Sequence, residues 1–202
     1  MDVAQSLIAR WFGAWSDHEP LAAGDPSMKL WWSKDEAVDA QLREAFEASH
    51  LAAARGELDE WADEAEGAVA RVLLFDQVPR NIYRGTAHAF ATDALARQAS
   101  KALHDGPLWE QLPPIHRYFA LMPLMHSEAL ADHDLALERF SALQQATADA
   151  PRAGVFAGAV DYEHRHRRII ERFGRYPHRN AALGRDSTPE EIAFLTEPGS
   201  SF

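Results

Sequence analysis

The chain has 202 residues, a length typical of one domain with its own hydrophobic core. An apolar fraction of 47% and a charged fraction of 25% exclude a disordered chain. The lack of cysteine excludes disulfides, thiolate-bound zinc, iron–sulfur clusters and a cysteine nucleophile. The net charge of −11 opposes binding to nucleic acid or to an anionic membrane. The sequence shows no signal peptide or membrane span, and we expect a cytoplasmic protein.

Composition predicts an all-α fold. Alanine, the best helix former, occurs 37 times, whereas the β-branched residues number 18 in total. Apolar residues at helical spacing divide the chain into about eight helices, and their short connections favour stacked antiparallel helix pairs or a bundle. We expect one domain over residues 1–202, with a loop over 16–28 and a frayed tail over 198–202.

The helices are predicted in chain order from their caps and breakers. The first runs from about Val3 to Trp15, and the second follows a capping box at Ser33 and Glu36 and ends at Gly56. The later helices, with the residue that starts or stops each, are 58–79 (Pro79), 86–103 (Thr86), 113–123 (Pro123), a helix from Ser127, 155–173 (Gly174) and a helix from Thr188.

Three clusters of polar residues lie where a polar helix face does not require them. The first follows the apolar run 72–75 and comprises Asp76, Gln77, Arg80, Asn81 and Arg84. The second is His126 with Glu128. The third comprises His166, Arg175, His178, Arg179, Asn180 and Arg185. It lies in the region 165–185, which holds seven of the 17 arginines. This local positive charge suits an anionic ligand or an acidic helix of the same chain.

If helical hairpins bring these clusters together, they form a pocket for a small anionic or polar metabolite. The arginines would hold its charge and the Asn, Asp and remaining His side chains would orient it. His126 with Glu128 would exchange protons, because histidine titrates near neutral pH and a nearby carboxylate raises its pKa. Two alternatives stay open: a helical groove that binds a peptide or partner protein, and a purely structural network of ion pairs.

Metal ligation is a weaker interpretation. Glu47–His50 and Glu163–His166 both have the Glu-x-x-His spacing of di-iron helical bundles, and His126, Glu128 and His178 could hold a lone zinc ion. The further inward glutamates of a di-iron site are not evident, so we predict no metal and no cofactor. The segments 75–81 and 173–180 are similar in sequence, which indicates either a duplication or a favoured turn by which each leaves a helix through proline.

Three motifs, in this order, resemble the signature of a bacterial family catalogued as domain of unknown function nine-two-four. They lie at 76–86, at 126–128 and between 173 and 191, and the likeness extends from about Trp11 to Leu195. Val78 and Tyr176 stand where the family usually has Phe. The resemblance implies an all-helical, tetratricopeptide-like fold of stacked helix pairs and no established reaction. The polar clusters coincide with the motifs, so theirs are the residues we predict to be functional.

Overall fold

The structure, a computed structural model, describes residues 2–13, 15–21 and 23–200, and within these ranges it is all-α without a strand. The α-helices are α1 (Val3–Phe12), α2 (Pro26–Trp32), α3 (Glu36–Ala54), α4 (Ala65–Ile82), α5 (Asp93–Asp105), α6 (Pro114–Met125), α7 (Leu130–Ala146), α8 (Ala153–Phe173) and α9 (Pro189–Phe194). Short 3-10 turns lie at Asp59–Asp63, Ala87–Phe90, Trp109–Gln111 and Pro177–Arg179. Among the described residues, no helix is both long and apolar enough to cross a membrane.

Helices α4 and α6 form the centre of the molecule. Each is packed on several sides. Helix α4 contacts α1, α3, α5 and α6, and helix α6 contacts α4, α5, α7 and α8. Such helices lack a wide polar face, and only two of the twelve residues of α6 are not buried. At one end of this core the rings of Trp11, Phe12 and Trp31 surround Phe119 at centroid distances of 4.8–5.8 Å.

Consecutive helices from α3 to α8 contact one another along the chain, which agrees with the predicted stacking of neighbouring helices. The tetratricopeptide-like relationship itself stays a prediction. The end of α8, the 3-10 turn Pro177–Arg179 and α9 add a small separate apolar cluster, which comprises Ile169, Ile170, Phe173, Tyr176 and Phe194.

Two prolines that were expected to end helices lie inside them. Helix α4 continues through Pro79 to Ile82, and α6 continues through Pro123 to Met125. Proline removes one helical amide donor, which at position 79 would have served the carbonyl of Phe75. That carbonyl instead accepts the hydroxyl of Thr92 at 2.7 Å. A side chain from the next part of the chain therefore supplies the hydrogen bond that Pro79 cannot make.

Several predicted helix starts are wrong by a few residues. Asp35, not Ser33, caps α3. Helix α2 begins inside the predicted loop, where Asp25 accepts the amide of Ser27 at 2.9 Å. Thr86 begins only a 3-10 turn, and α5 starts after Thr92. Asp25, Asp35 and Thr92 are all of residue types that suit a helix N-terminus, so the sequence offers more than one candidate for the starts of α3 and α5.

Two other boundaries differ and two are confirmed. The first helix ends at Phe12 rather than Trp15. Helix α7 starts at Leu130, three residues after the predicted cap Ser127, whose hydroxyl accepts the amide of Ala129 at 3.0 Å and donates to Asp132 at 2.7 Å. Gly174 ends α8 with φ 68°, a left-handed conformation that glycine adopts without strain. The predicted cap at Thr188 forms a capping box with Glu191.

The two similar segments, 75–81 and 173–180, do not share a conformation. The first lies inside α4, whereas the second leaves α8 at Gly174 and enters a 3-10 turn. The prediction that both leave a helix through proline is wrong for the first. In the predicted frayed tail, residues 198–200 form a turn in which the Ser200 hydroxyl donates to the Leu195 carbonyl at 3.2 Å. Residues 201 and 202 lie outside the described residues.

Candidate functional site

Three segments that are distant in the sequence meet beside the last turns of α4. Nδ1 of His126, at the end of α6, lies 2.8 Å from Oδ1 of Asp76 in α4. Arg179 donates to the His126 carbonyl at 2.9 Å and to Asp93 at 3.1 Å. Arg80 pairs with Asp93 at 3.0 Å. We call these five residues, Asp76, Arg80, Asp93, His126 and Arg179, the arginine–histidine cluster.

Asp76 is the fully buried centre of this cluster. Its carboxylate accepts from Nδ1 of His126 and, at 2.6 Å, from Nε2 of Gln77, and it lies 3.0 Å from Nη1 of Arg80. Burial alone would raise the pKa of Asp76, but the charge of Arg80 and the hydrogen bonds that it accepts hold the pKa well below its usual range. Asp76 is therefore an anion at neutral pH.

His126 is a neutral imidazole with a fixed orientation. Burial lowers its pKa more than Asp76 raises it, and the charges of Arg80 and Arg179 lower it further. Because an ionised carboxylate can only accept, Nδ1 carries the proton and Nε2 keeps a lone pair. The side chain is 14% exposed, and no described residue hydrogen-bonds to Nε2. A carboxylate does raise the pKa of His126, as expected, but it is that of Asp76 and not of Glu128, and desolvation outweighs its effect, so the net shift is downward.

The two guanidinium groups share one carboxylate and one aromatic ring. Nη1 of Arg80 and Nη1 of Arg179 each pair with Asp93, and both groups lie over the ring of Phe90, at 5.7 and 4.8 Å from its centroid. Burial and the charge of Arg80 lower the pKa of Arg179. Nη2 of Arg80 and Nε of Arg179 are buried and hydrogen-bond to no described residue. Buried donors of this kind are rarely left without an acceptor in native proteins.

Glu128, the predicted partner of His126, has a different contact. It accepts two hydrogen bonds from Arg185, at 2.8 and 3.0 Å, and a third from the amide of Tyr176 at 2.8 Å. Burial would raise the pKa of Glu128, but the hydrogen bonds from Arg185 and Tyr176 lower it. Glu128 therefore joins the α6–α7 connection to the segment after α8, and Asp76 takes the place at His126 that the sequence analysis gave to Glu128.

Other predicted ligand-binding residues hold the third segment together. Arg175 donates to both oxygens of Glu191, at 2.6 and 2.8 Å, and Nδ2 of Asn180 donates to the same carboxylate at 3.3 Å. Glu191 is buried, although Glu190 and Ile192 on either side of it are exposed. It also accepts the amide of Thr188 in the capping box, at 2.8 Å. These contacts fix the fold of residues 175–191, and none of them is made to a residue of the arginine–histidine cluster.

Arg84 and Asn81 face away from the cluster. Arg84 donates twice to Asp39 of α3, at 2.9 Å each, and once to Oδ1 of Asn81 at 3.0 Å. Nδ2 of Asn81 donates to the Gln77 carbonyl at 2.8 Å. The structure therefore divides the first predicted cluster between a buried part, around Asp76, and a surface part.

Two further histidines lie near His126. The ring of His166 is 6.4 Å from that of His126 and 5.8 Å from that of Tyr176, which in turn lies 5.4 Å from the ring of His178. Burial lowers the pKa of His166 to about 3 and that of His178 to about 4. Both are neutral at pH 7, so the region around the cluster contains three uncharged imidazoles.

Asp93, Phe90 and Tyr176 were not among the residues predicted from the sequence to be functional. Asp93 occupies the first position of α5, where a carboxylate is ordinary because it favours the positive end of the helix dipole. Tyr176 is fully buried and its hydroxyl donates to the Met125 carbonyl at 2.6 Å. Tyr176 lies within a recognised motif, so that motif was the available signal. Nothing in the sequence marks Asp93 or Phe90.

The two Glu-x-x-His pairs do not form one centre. His50 contacts the Leu74 carbonyl at 2.8 Å, and buried Glu163 pairs with His133 at 2.6 Å, whereas Nδ1 of His166 contacts the Tyr162 carbonyl. Among the described residues, no group of three His, Asp or Glu side chains is arranged to hold a metal ion.

Two cavities in the described part of the chain lie away from the cluster. One, of about 330 Å³, lies between α4 and α5 and is lined by Arg71 and several alanines. The other, of about 790 Å³, is a groove beside α8 and α9 lined by Arg168, Phe173 and Phe194. Neither is the predicted pocket lined by all three motifs. The cluster reaches solvent instead through the side chains of Arg80, Asp93 and His126, which are 14–21% exposed.

Comparisons with known proteins agree with the resemblance of the motifs. The family model described as bacterial protein of unknown function (DUF924) matches residues 7–199. The chain is also similar to a solved structure of a protein of unknown function from Agrobacterium tumefaciens, with 36% identity, a TM-score of 0.77 and 96% of each chain covered. No curated protein matches the chain. Since the family model covers nearly the whole sequence, the chain belongs to the bacterial family DUF924.

Proposed function

We propose that the arginine–histidine cluster binds a small anionic molecule and that His126 acts on it as an acid–base group. The observation that carries this proposal is the pair of largely buried guanidinium groups, Arg80 and Arg179, that share the carboxylate of Asp93. Each keeps a buried N–H group that has no hydrogen-bond acceptor among the described residues. Planar guanidinium groups bind carboxylate and phosphate by paired hydrogen bonds. Asp93 is the most exposed of the cluster's acids, so it is the group that an incoming anion would displace.

The acid–base role follows from the state of His126. A neutral imidazole with a lone pair on Nε2 accepts a proton, and the buried carboxylate behind Nδ1 stabilises the imidazolium that forms. Asp76 is in that position, 2.8 Å from Nδ1. Asp76 is therefore the positioning residue of this pair, and Arg80 and Arg179 bind the ligand's charge.

A structural role for the same residues makes a different prediction. Each of the five arginines in the motifs pairs with a carboxylate, which is what a network that only fixes packing requires. Breaking such a buried pair destabilises the fold whether or not a ligand exists. The two accounts differ in one measurable quantity, the dependence of stability on an added anion.

The experiment is thermal unfolding in a non-coordinating buffer with increasing inorganic phosphate, sulfate or acetate. We expect a saturable rise in Tm, because a ligand that binds only the native state stabilises it. Arg179→Gln should abolish the rise. The matched control is Arg84→Gln, which removes an exposed arginine of the same motif that contacts Asp39 outside the cluster. No anion-dependent rise in the wild type, or an equal rise in both variants, would contradict the proposal.

A second function, binding of a peptide or partner protein, is supported by the groove beside α8 and α9. Its lining combines aromatic rings with guanidinium groups: Arg172 lies 4.7 Å from the ring of Phe173 and 5.5 Å from that of Phe194. Beside it in α9, Ile192 is 57% exposed. This surface favours an acidic, aromatic peptide. Selection from a random peptide library, repeated with Arg168→Glu, tests it, and the loss of the enriched sequences in the variant is the expected result.

A further inference from the structure

The arginines of the arginine–histidine cluster are bonded differently from the other arginines of the motifs. Those outside the cluster each hold one carboxylate by two hydrogen bonds of 2.6–3.0 Å, in the pairs Arg84–Asp39, Arg175–Glu191 and Arg185–Glu128. Paired bonds of this kind are a frequent and strong arrangement of a guanidinium group with a carboxylate. Among the described residues, Arg80 and Arg179 make no such pair of bonds, and they share the carboxylate of Asp93 instead.

Asp93 is held by few bonds for a carboxylate that lies between two arginines. Its Oδ2 accepts one hydrogen bond, from Nη1 of Arg179 at 3.1 Å. Its Oδ1 lies 3.0 Å from Nη1 of Arg80, but this ion pair does not have the geometry of a hydrogen bond. The Asp93 side chain is 21% exposed, and at the first position of α5 the helix dipole favours its charge without help from the arginines. Asp93 is therefore able to leave the two arginines for solvent.

The two guanidinium groups keep other contacts when this carboxylate leaves. Arg80 donates to the Asp76 carbonyl at 2.8 Å, and Arg179 donates to the His126 carbonyl at 2.9 Å. Both groups also lie over the ring of Phe90, a cation–π arrangement that favours their position. Nη2 of Arg80 and Nε of Arg179 hydrogen-bond to no described residue. The arginines are therefore already placed to receive another carboxylate, with one N–H group each to offer it.

The charge of the cluster sets the charge of the group that it can receive. The carboxylates of Asp76 and Asp93 balance the two guanidinium groups. Exchange of Asp93 for one ligand carboxylate leaves this balance unchanged, because a single negative charge replaces another. A dianion such as sulfate would leave one negative charge without compensation in a largely buried place, which is costly.

We infer that the ligand of the arginine–histidine cluster is a carboxylate, and that Asp93 is its internal competitor for the two arginines. This inference rests on the proposed function. It names the chemical class of the ligand, and it makes Asp93 the residue that limits the affinity of the site.

Titration with acetate at pH 7, followed by NMR spectroscopy, tests the ligand class. The side-chain Nε–H signals of arginine report binding directly, and the signal that is missing in Arg179→Gln is that of Arg179. Sulfate, a dianion, and acetamide, an uncharged molecule of nearly the same shape as acetate, are compared with it at constant ionic strength. We expect acetate to shift the Arg179 signal to saturation, sulfate to bind at least about tenfold more weakly, and acetamide not to bind.

Substitution of Asp93 tests its role as competitor. Asp93→Asn removes the competing charge and keeps the size of the side chain, so it should bind acetate at least about tenfold more tightly than the wild type. The matched control is Asp39→Asn, which takes the carboxylate from Arg84, a motif arginine outside the cluster. The acetate affinity of this control, measured at the Arg179 signal, should equal that of the wild type. Asp93→Ser takes the place of Asp93→Asn if that variant does not fold.

The outcomes separate this inference from the proposed function. Acetate affinity in Asp93→Asn that equals or falls below that of the wild type overturns the role of Asp93 and leaves the anion site standing. Sulfate binding to the wild type as tightly as acetate overturns the assignment to carboxylates. If neither acetate nor sulfate shifts the Arg179 signal of the wild type, both the inference and the proposed function are overturned, even where Asp93→Asn binds acetate.

Discussion

The hydrogen bond between Thr92 and the Phe75 carbonyl lets α4 continue through Pro79, and Thr92→Val tests its contribution. Valine has nearly the shape of threonine, so the substitution removes the hydroxyl and leaves a buried carbonyl without a donor. A loss of this kind costs about 1–3 kcal/mol. For a chain of this length that corresponds to a fall in Tm of roughly 2–12 °C. Thermal and urea unfolding of the variant measure it.

A double variant identifies the cause. Pro79→Ala restores an amide at the position from which an α-helix would serve the Phe75 carbonyl. If the Thr92 hydroxyl substitutes for that amide, the double variant Pro79→Ala with Thr92→Val should recover at least half of the stability that Thr92→Val loses. Equal destabilisation of the single and double variants would refute the reasoning, because the hydroxyl would then have another role.

Three further predictions concern burial, pH and backbone conformation. Asp76→Asn should lower the free energy of unfolding, measured with urea, by about 3–5 kcal/mol, because Arg80 and His126 lose a buried anion. The control Asp161→Asn, at an exposed ion pair, should change it by less than about 0.5 kcal/mol. Burial lowers the pKa of His116 to about 4, whereas histidine in the unfolded chain has a pKa of about 6.5. Between these two pH values the unfolded chain binds more protons than the folded one, so stability falls as the pH drops from 6.5 to 4. His116→Phe should remove about 2–3 kcal/mol of that loss, measured as the difference between pH 7 and pH 4.5; an unchanged pH dependence would contradict this. Gly174→Ala should destabilise the protein by about 1 kcal/mol, because φ is positive at that residue. Gly158→Ala, in the interior of α8 with open space for a Cβ atom, should stabilise it slightly. Equal effects of the two substitutions in thermal unfolding would argue against a backbone cause.

Local chemistry made the helical fold predictable, and tertiary contacts explain where the boundaries differ. Gly174 and Thr188 act within their own turns, so their positions could be recognised from neighbouring residues. The continuation of α4 through Pro79 could not be recognised in this way, because the donor that replaces the missing amide is Thr92, 13 residues further along the chain at the start of α5. A proline rule predicts a helix end only when no side chain replaces the missing amide.

The candidate site was predictable as a set of residues but not as a set of pairs. His126 and Asp76 were both singled out, yet they are 50 positions apart and only the packing of α4 against α6 joins them. Glu128 was a reasonable partner by proximity in the chain, but Arg185 competes for it. Asp93 could not be distinguished from an ordinary carboxylate at a helix start, because its two arginines come from elements on either side of it in the sequence.

The segment after α8 joins the rest of the molecule largely through polar contacts. Its Tyr176 and Phe194 pack with the end of α8 in a small cluster apart from the main core. Arg179, Arg185 and the Tyr176 hydroxyl make the bonds to α5, to the connection after α6 and to α6. Among the described residues, the main apolar core contains none of this segment, whereas Arg179 reaches Asp93 and the His126 carbonyl from it. Detachment of the segment alone would therefore remove the second guanidinium group from the site and leave the main core intact.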